Sequence, residues 1–144
     1  MNSFTKITDK DSIGKLIPQK APFVMVDKLL YFEENKVVAG LVVSEENIFI
    51  KKDKFTEPGL IEHMAQTVAL YTGYQYFLKK EDAPIGYIGA IKKAEILELP
   101  ELGKELTTTV NVLHDIMGVT LVTAETECDG RVIASSEMKT VLAQ

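Results

Sequence analysis

The sequence predicts an α+β domain in which a long antiparallel sheet wraps one buried helix. Three observations predict it. The stretch from Thr56 to about Lys79 is apolar around most of its circumference. Four β-rich segments follow it: Ile85 to Leu97, Glu105 to Asp115, Val119 to Cys128 and Arg131 to Leu142. Met117-Gly118 and Asp129-Gly130 stand where the last three of these must be joined. Asp-Gly is a strong two-residue hairpin signal, because both central positions take positive φ.

The elements follow in order. Asp11 to Leu16 reads as a short helix capped by Asp11 or Ser12. Pro18 and Pro22 end it and bracket an extended turn. Phe23 to Phe32 reads as a strand, with Lys36 to Val43 as its partner across Glu33-Glu34-Asn35. Val37, Val38, Val42 and Val43 are β-branched and favour a pleated surface. Thr56 can cap the long helix, with Glu57 and Pro58 in its first turn, where a missing proline N–H costs nothing. Leu60, Ile61, Met64, Ala65, Val68, Ala69, Leu70, Tyr71 and Phe77 leave no broad polar face, so this helix is expected to be buried. Its expected length is roughly 33 Å. Glu81 to Pro84 breaks the pattern, and Gly103, after Pro100, marks a further turn.

Composition narrows the function. The 144 residues fit a single domain, 1–144, and with 46% hydrophobic and 26% charged residues the chain is of ordinary globular type. A net charge of −5 argues against a protein that holds a phosphate backbone through global charge, so no nucleic acid is expected. One cysteine, Cys128, excludes an internal disulfide, and with only two histidines, His63 and His114, no metal site or cofactor is expected. No apolar run reaches the roughly 18–20 residues of a membrane span. Met1 to Lys15 is polar and mixed in charge, unlike a signal peptide, so the expected location is cytoplasmic.

The start of the long helix is the most informative place. Pro58-Gly59 presents backbone N–H groups at a positive dipole end, suited to a carbonyl oxygen or an anion. Glu62 follows in the first turn, and Gln66 lies one turn later on the same face, with small Ala69 and Gly73 continuing the stripe. A carboxylate on an oily helix needs a partner or a task. The plainer alternatives are a dipole-favoured acid for Glu62, a satisfied buried amide for Gln66 and a packing role for His63. Helical geometry turns His63 roughly 100° from Glu62, so it would reach a shared pocket only by facing another subunit. Lys51, Lys52 and Lys54 form a basic cluster before the helix, and Lys92-Lys93 another. Each is either solvated charge or a docking patch for an acidic partner.

These residues resemble those of the hotdog-fold 3-hydroxyacyl-acyl-carrier-protein dehydratases, especially a divergent branch found beside polyene and flexirubin-type pigment genes. Ile17-Pro18-Gln19-Lys20-Ala21-Pro22-Phe23, continuing Val24-Met25-Val26-Asp27, is similar to the family's N-terminal motif, where a histidine commonly stands at the place of Gln19. Glu62-His63-Met64-Ala65-Gln66 resembles its central-helix motif. Ile88-Gly89-Ala90-Ile91-Lys92, Leu102-Gly103-Lys104-Glu105-Leu106 and Asp129-Gly130-Arg131-Val132-Ile133-Ala134 resemble its later strands and turns.

The resemblance implies a homodimer, with higher assembly open, whose two sheets join edge to edge around an acyl tunnel. It implies a thioester carbonyl held by the Gly59 N–H, with Pro58, Leu60 and Phe49 as further substrate contacts. Glu62 would handle the departing hydroxyl and Gln66 would support it. Lys51, Lys52 and Lys54 would meet acyl-carrier protein, with a coenzyme A thioester as the alternative carrier. The better-known members carry a catalytic histidine in a Gly-His-Phe-Pro-like segment, whereas Asn47 to Phe55 here contains none. Asp53, Asn47 or the partner subunit's His63 could fill the open role. Three readings compete: a dehydratase-like enzyme, a hotdog thioesterase whose carboxylate activates water, and a non-catalytic acyl-binding or partner-binding module.

Overall fold

The computed structural model describes residues 4–143. In chain order the elements are α1 (Lys10–Leu16), β1 (Lys28–Glu33), β2 (Lys36–Val42), β3 (Ile50–Lys51), β4 (Lys54–Phe55), α2 (Glu57–Leu78), β5 (Gly86–Ile96), β6 (Glu105–Ile116), β7 (Val119–Cys128) and β8 (Arg131–Leu142). Six strands form one sheet in the order β1-β2-β6-β7-β8-β5. Every neighbouring pair in it is antiparallel. The sheet curls around α2, which packs on β2, β5, β6, β7 and β8, and this is the hotdog fold.

Strand periodicity builds the core. Leu106, Thr108, Val110 and Val112 of β6 face inward, as do Thr120, Val122, Ala124, Thr126 and Cys128 of β7. The register sets Thr108 opposite Thr126, Val110 opposite Ala124 and Val112 opposite Val122. Against this floor α2 lays Leu60, Met64, Val68 and Tyr71, all buried. Both expected hairpin turns form with positive φ at each central residue, at Met117-Gly118 and Asp129-Gly130. Gly73 is required by a close approach: a Cβ there would run into the backbone carbonyl of Leu16, at the end of α1.

Several boundaries differ from the sequence reading. The cap of α1 is Asp9, whose Oδ2 accepts the Ser12 N–H at 2.9 Å, and not Asp11 or Ser12. The first strand begins at Lys28 and not Phe23, because the preceding backbone pairs with a helix side chain instead of with another strand. Thr56 is the N-cap residue of α2, but its hydroxyl donates to the Phe49 carbonyl at 2.7 Å and caps no helical N–H. The small hairpin β3–β4 was not expected. It turns through Lys52 and Asp53, both at positive φ without a glycine between them. Helix α2 is buried along most of its length but emerges at its end, where Phe77 and Leu78 are exposed. Among the described residues no helix is long and apolar enough to cross a membrane.

Candidate functional site

Gln66 organises the site. It is fully buried, and its amide is used at both ends. Oε1 accepts the Met25 N–H at 2.6 Å. Nε2 donates to the Phe23 carbonyl at 2.8 Å and to Glu62 Oε2 at 2.7 Å. A backbone N–H can only donate and a carbonyl only accept, so these partners fix the orientation of the amide. One side chain therefore ties the extended segment before β1 to α2 and holds one oxygen of the Glu62 carboxylate.

Glu62 is half-buried on the wall of a cleft of about 290 Å³. Ala65, Ala69 and Thr72 continue its face of α2, at helical spacing, along the same wall. Pro84 from the connection before β5, Tyr87 and Ile88 from the start of β5, and Leu142 from β8 close the other side. The cleft is thus an apolar slot with a positioned carboxylate. The expected stripe is corrected in one respect: Gln66 turns inward to Met25 and Phe23, and Ala65 takes the place facing the slot.

A second cleft, of about 710 Å³, lies on the other side of the 19–22 segment, between α1 and the end of β2. Gln19 borders both clefts. Its Oε1 is buried without a hydrogen-bond partner among the described residues. In the sequence, Gln19 is marked only by standing in the N-terminal motif at the place where a histidine commonly stands.

His63, one residue from Glu62, faces the opposite environment. It is fully buried, Nδ1 lies 2.7 Å from the Met25 carbonyl and Nε2 lies 2.8 Å from Thr108 Oγ1. The carbonyl can only accept, so Nδ1 carries the proton and Nε2 accepts from Thr108. The Thr108 hydroxyl in turn stands 2.6 Å from Thr126 Oγ1, closing a buried chain across β6 and β7. Burial pushes the imidazole down to about 4, against the Met25 hydrogen bond and the Asp27 charge, which act to raise it. The ring is enclosed by its own chain: of the alternatives open to His63 the structure shows the packing role, and the ring has no surface with which to face another subunit.

The other candidates are not gathered at the slot. Leu60 is a core residue with no exposed surface. Gly59 is buried, and a Cβ there would strike the Phe55 ring and the Phe49 side chain, so packing alone demands glycine. Its N–H precedes the first helical bond, from the Leu60 N–H to the Thr56 carbonyl, as first-turn groups do. Pro58 is exposed beside it, and Phe49 packs against Gly59. Asn47 lines the larger cleft and closes its own turn, Oδ1 accepting the Phe49 N–H at 2.8 Å. Asp53 sits exposed in the β3–β4 turn among Lys51, Lys52 and Lys54, which are exposed as well. His114 is exposed on β6, and Cys128 is a buried thiol held above its ordinary range by burial. Among the described residues no cluster of His, Cys, Asp and Glu could hold a metal ion.

Comparison with known proteins extends this picture. The sequence pattern of the ApeP-like family, described as ApeP dehydratase, matches residues 11–144. The 3-hydroxyacyl-[acyl-carrier-protein] dehydratase FabZ of Clostridium botulinum is 32% identical over 148 residues, covering 96% of this chain and 99% of its own. That of Nitrosospira multiformis is 31% identical over 140 residues, covering 90% and 93%. Among solved structures, the dehydratase heterocomplex ApeI:P from Xenorhabdus doucetiae superimposes with a TM-score of 0.86 at 20% identity, over 92% of this chain and 91% of that one. A hypothetical thioesterase with coenzyme A from Streptococcus pneumoniae gives 0.63 at 12% identity, over 80% and 86%.

Proposed function

The chain belongs to the ApeP-like dehydratase family, and on that premise we propose that it removes water from a 3-hydroxyacyl thioester borne by acyl-carrier protein, with Glu62 as the reacting group. The observation that supports this is the Gln66–Glu62 hydrogen bond of 2.7 Å on the wall of an apolar slot. A carboxylate held by one oxygen is positioned for proton transfer at no further entropic cost.

In this reading the Glu62 carboxylate takes the proton from the carbon next to the thioester carbonyl. The carbon–oxygen bond at position 3 breaks as the double bond forms, and Glu62 returns the proton to the departing hydroxyl, which leaves as water. One residue thus serves as base and then acid, and no histidine is required. Negative charge grows on the thioester oxygen as the first proton leaves and is favoured toward the positive N-terminal end of α2, although Gly59 itself is packed against Phe55 and Phe49 outside the slot.

The slot is bordered by β5, an edge strand of the sheet. Tyr87, Ile88 and Ile91 on it are exposed, with Tyr87 at 60%. An open apolar edge is a template for another strand. Pairing there with a second hotdog chain would lengthen the slot. That chain is either another copy, giving a homodimer, or a different one; the similarly folded ApeI:P dehydratase of Xenorhabdus doucetiae is a heterocomplex. Lys51, Lys52 and Lys54 on the β3–β4 hairpin are the proposed contacts for the acidic carrier.

The test is mass spectrometry of a 3-hydroxyacyl-carrier protein incubated with the purified chain. Loss of one water from the acyl group, abolished by Glu62→Gln, is the expected result. Release of the whole acyl group would make the protein a thioesterase, and an unaltered but bound carrier would make it a binding module.

A further inference from the structure

Thr126, Thr108, His63, Met25, Gln66 and Glu62 stand in one line of hydrogen bonds that begins on the sheet and ends at the slot. Thr126 Oγ1 lies 2.6 Å from Thr108 Oγ1, which lies 2.8 Å from His63 Nε2. His63 Nδ1 donates to the Met25 carbonyl at 2.7 Å, and the Met25 N–H donates to Gln66 Oε1 at 2.6 Å. Gln66 Nε2 then donates to Glu62 Oε2 at 2.7 Å. All of these residues but Glu62 are buried, where bulk water does not compete for the bonds.

Met25 is the joint in this line. It precedes β1, and the sheet takes up the chain at Asp27, whose N–H donates to the Gly40 carbonyl at 2.9 Å. Both backbone groups of Met25 go instead to side chains of α2. His63 and Gln66 are three residues apart on that helix, hence neighbours on its surface, and together they act on Met25 as a partner strand would. Without His63 the buried Met25 carbonyl loses its donor, a cost that favours movement of the segment toward another partner. The Met25 N–H sets the Gln66 oxygen and Gln66 holds Glu62, so such movement passes to the carboxylate. We propose that His63 is a positioning residue: it never meets the substrate, and it sets Glu62 by fixing Met25 against Gln66. This inference rests on the dehydratase reading above and names what aims that site's carboxylate.

The test follows three readouts in the full chain and its variants: steady-state dehydration of 3-hydroxyoctanoyl-pantetheine, a thermal melt, and the Gln66 side-chain amide resonance, assigned by its absence in Gln66→Glu. His63→Leu removes the donor to Met25. In its folded fraction kcat should fall about tenfold with KM within about twofold, and the Gln66 resonance should shift. An amide side chain at 63 still offers an N–H, and asparagine carries it as many bonds from the backbone as Nδ1 is. His63→Asn should therefore melt lower than the unaltered chain yet keep kcat within about twofold, with the Gln66 resonance in place. Thr108→Val is the control: it strands Nε2 and lowers the melt but leaves Nδ1 on Met25, so kcat should hold. If His63→Leu does not fold, the double variant His63→Leu/Thr108→Val, with no Thr108 hydroxyl facing the leucine, takes its place. A kcat that merely follows melting temperature across the variants would mean stability alone and would overturn the proposal. So would an unchanged kcat with an unmoved Gln66 resonance in His63→Leu, which leaves the dehydratase reading standing. An unaltered chain that does not dehydrate the compound would overturn that reading. The Gln66 resonance then decides the role of His63 by itself: a shift in His63→Leu supports it, and an unmoved signal ends it.

Discussion

Glu62 and His63 are consecutive in the chain, yet α2 delivers them to opposite environments. His63 is buried against the sheet, with both ring nitrogens occupied by Met25 and Thr108. Glu62 stands on the wall of the apolar slot with one oxygen held by Gln66. Histidine is the more familiar proton carrier near neutral pH. Here its one ring N–H and its one acceptor nitrogen are both taken by core hydrogen bonds, whereas the carboxylate stands on the wall of a cleft. Hydrogen-bond saturation, more than residue type, separates the structural group from the candidate reactive one.

That contrast can be broken at Gln66, where the largest effect is expected. Gln66→Leu frees Glu62 and strands the Phe23 carbonyl and the Met25 N–H. A misplacement of about 1 Å can cost on the order of 100-fold in rate, so kcat should fall by about that factor in the folded fraction. Steady-state kinetics beside a thermal melt checks it, and an unchanged kcat would show that the pinning is irrelevant to turnover.

On the His63 side the expected signature is pH-dependent stability. The folded imidazole titrates near 4 and the ordinary value is 6.5, so between these the unfolded chain binds more protons. Stability is therefore fully present above about pH 6.5 and is lost as pH falls toward about 4, by up to about 3 kcal/mol. Carboxylates titrate in the lower part of this window, so the measurement is a difference. Urea midpoints at pH 7, 5.5 and 4.5 should slope less steeply in His63→Gln than in the unaltered chain.

The packing of α2 against α1 gives a smaller effect. Gly73→Ala drives a methyl into the Leu16 carbonyl and should cost about 1–3 kcal/mol of stability, read from denaturant unfolding. Smallest is the charge reversal of Lys51, Lys52 and Lys54 to glutamate. It should weaken carrier binding several-fold at low salt and progressively less as salt rises, with little effect on turnover of a pantetheine substrate. Unchanged carrier affinity at low salt would end the docking role of this hairpin.

Much of the fold was legible because it rests on periodicity. Alternation marked β6 and β7, the all-round apolar run marked α2, and Asp129-Gly130 marked the last turn. What was not legible depends on contacts between distant residues. Phe23 to Val26 has the composition of a strand, but two of its backbone groups are taken by Gln66, and only the folded chain shows that. Lys52-Asp53 carries no glycine to announce a tight turn. At the site, Glu62 and Gln66 were singled out by their spacing on one helix. The partners that decide the state of His63, Thr108 and Thr126, come from strands far along the chain. The unpaired oxygen of Gln19 likewise becomes visible only once α1 and the slot enclose it.

The most direct measurement places Glu62→Gln and His63→Gln in one dehydration assay with a 3-hydroxyacyl-carrier protein, each melted alongside. Glu62→Gln should fold normally and lose turnover by on the order of 100- to 10,000-fold. His63→Gln should melt lower and keep turning over. A folded His63→Gln that no longer releases water, beside an active Glu62→Gln, would contradict the assignment of the chemistry to the carboxylate.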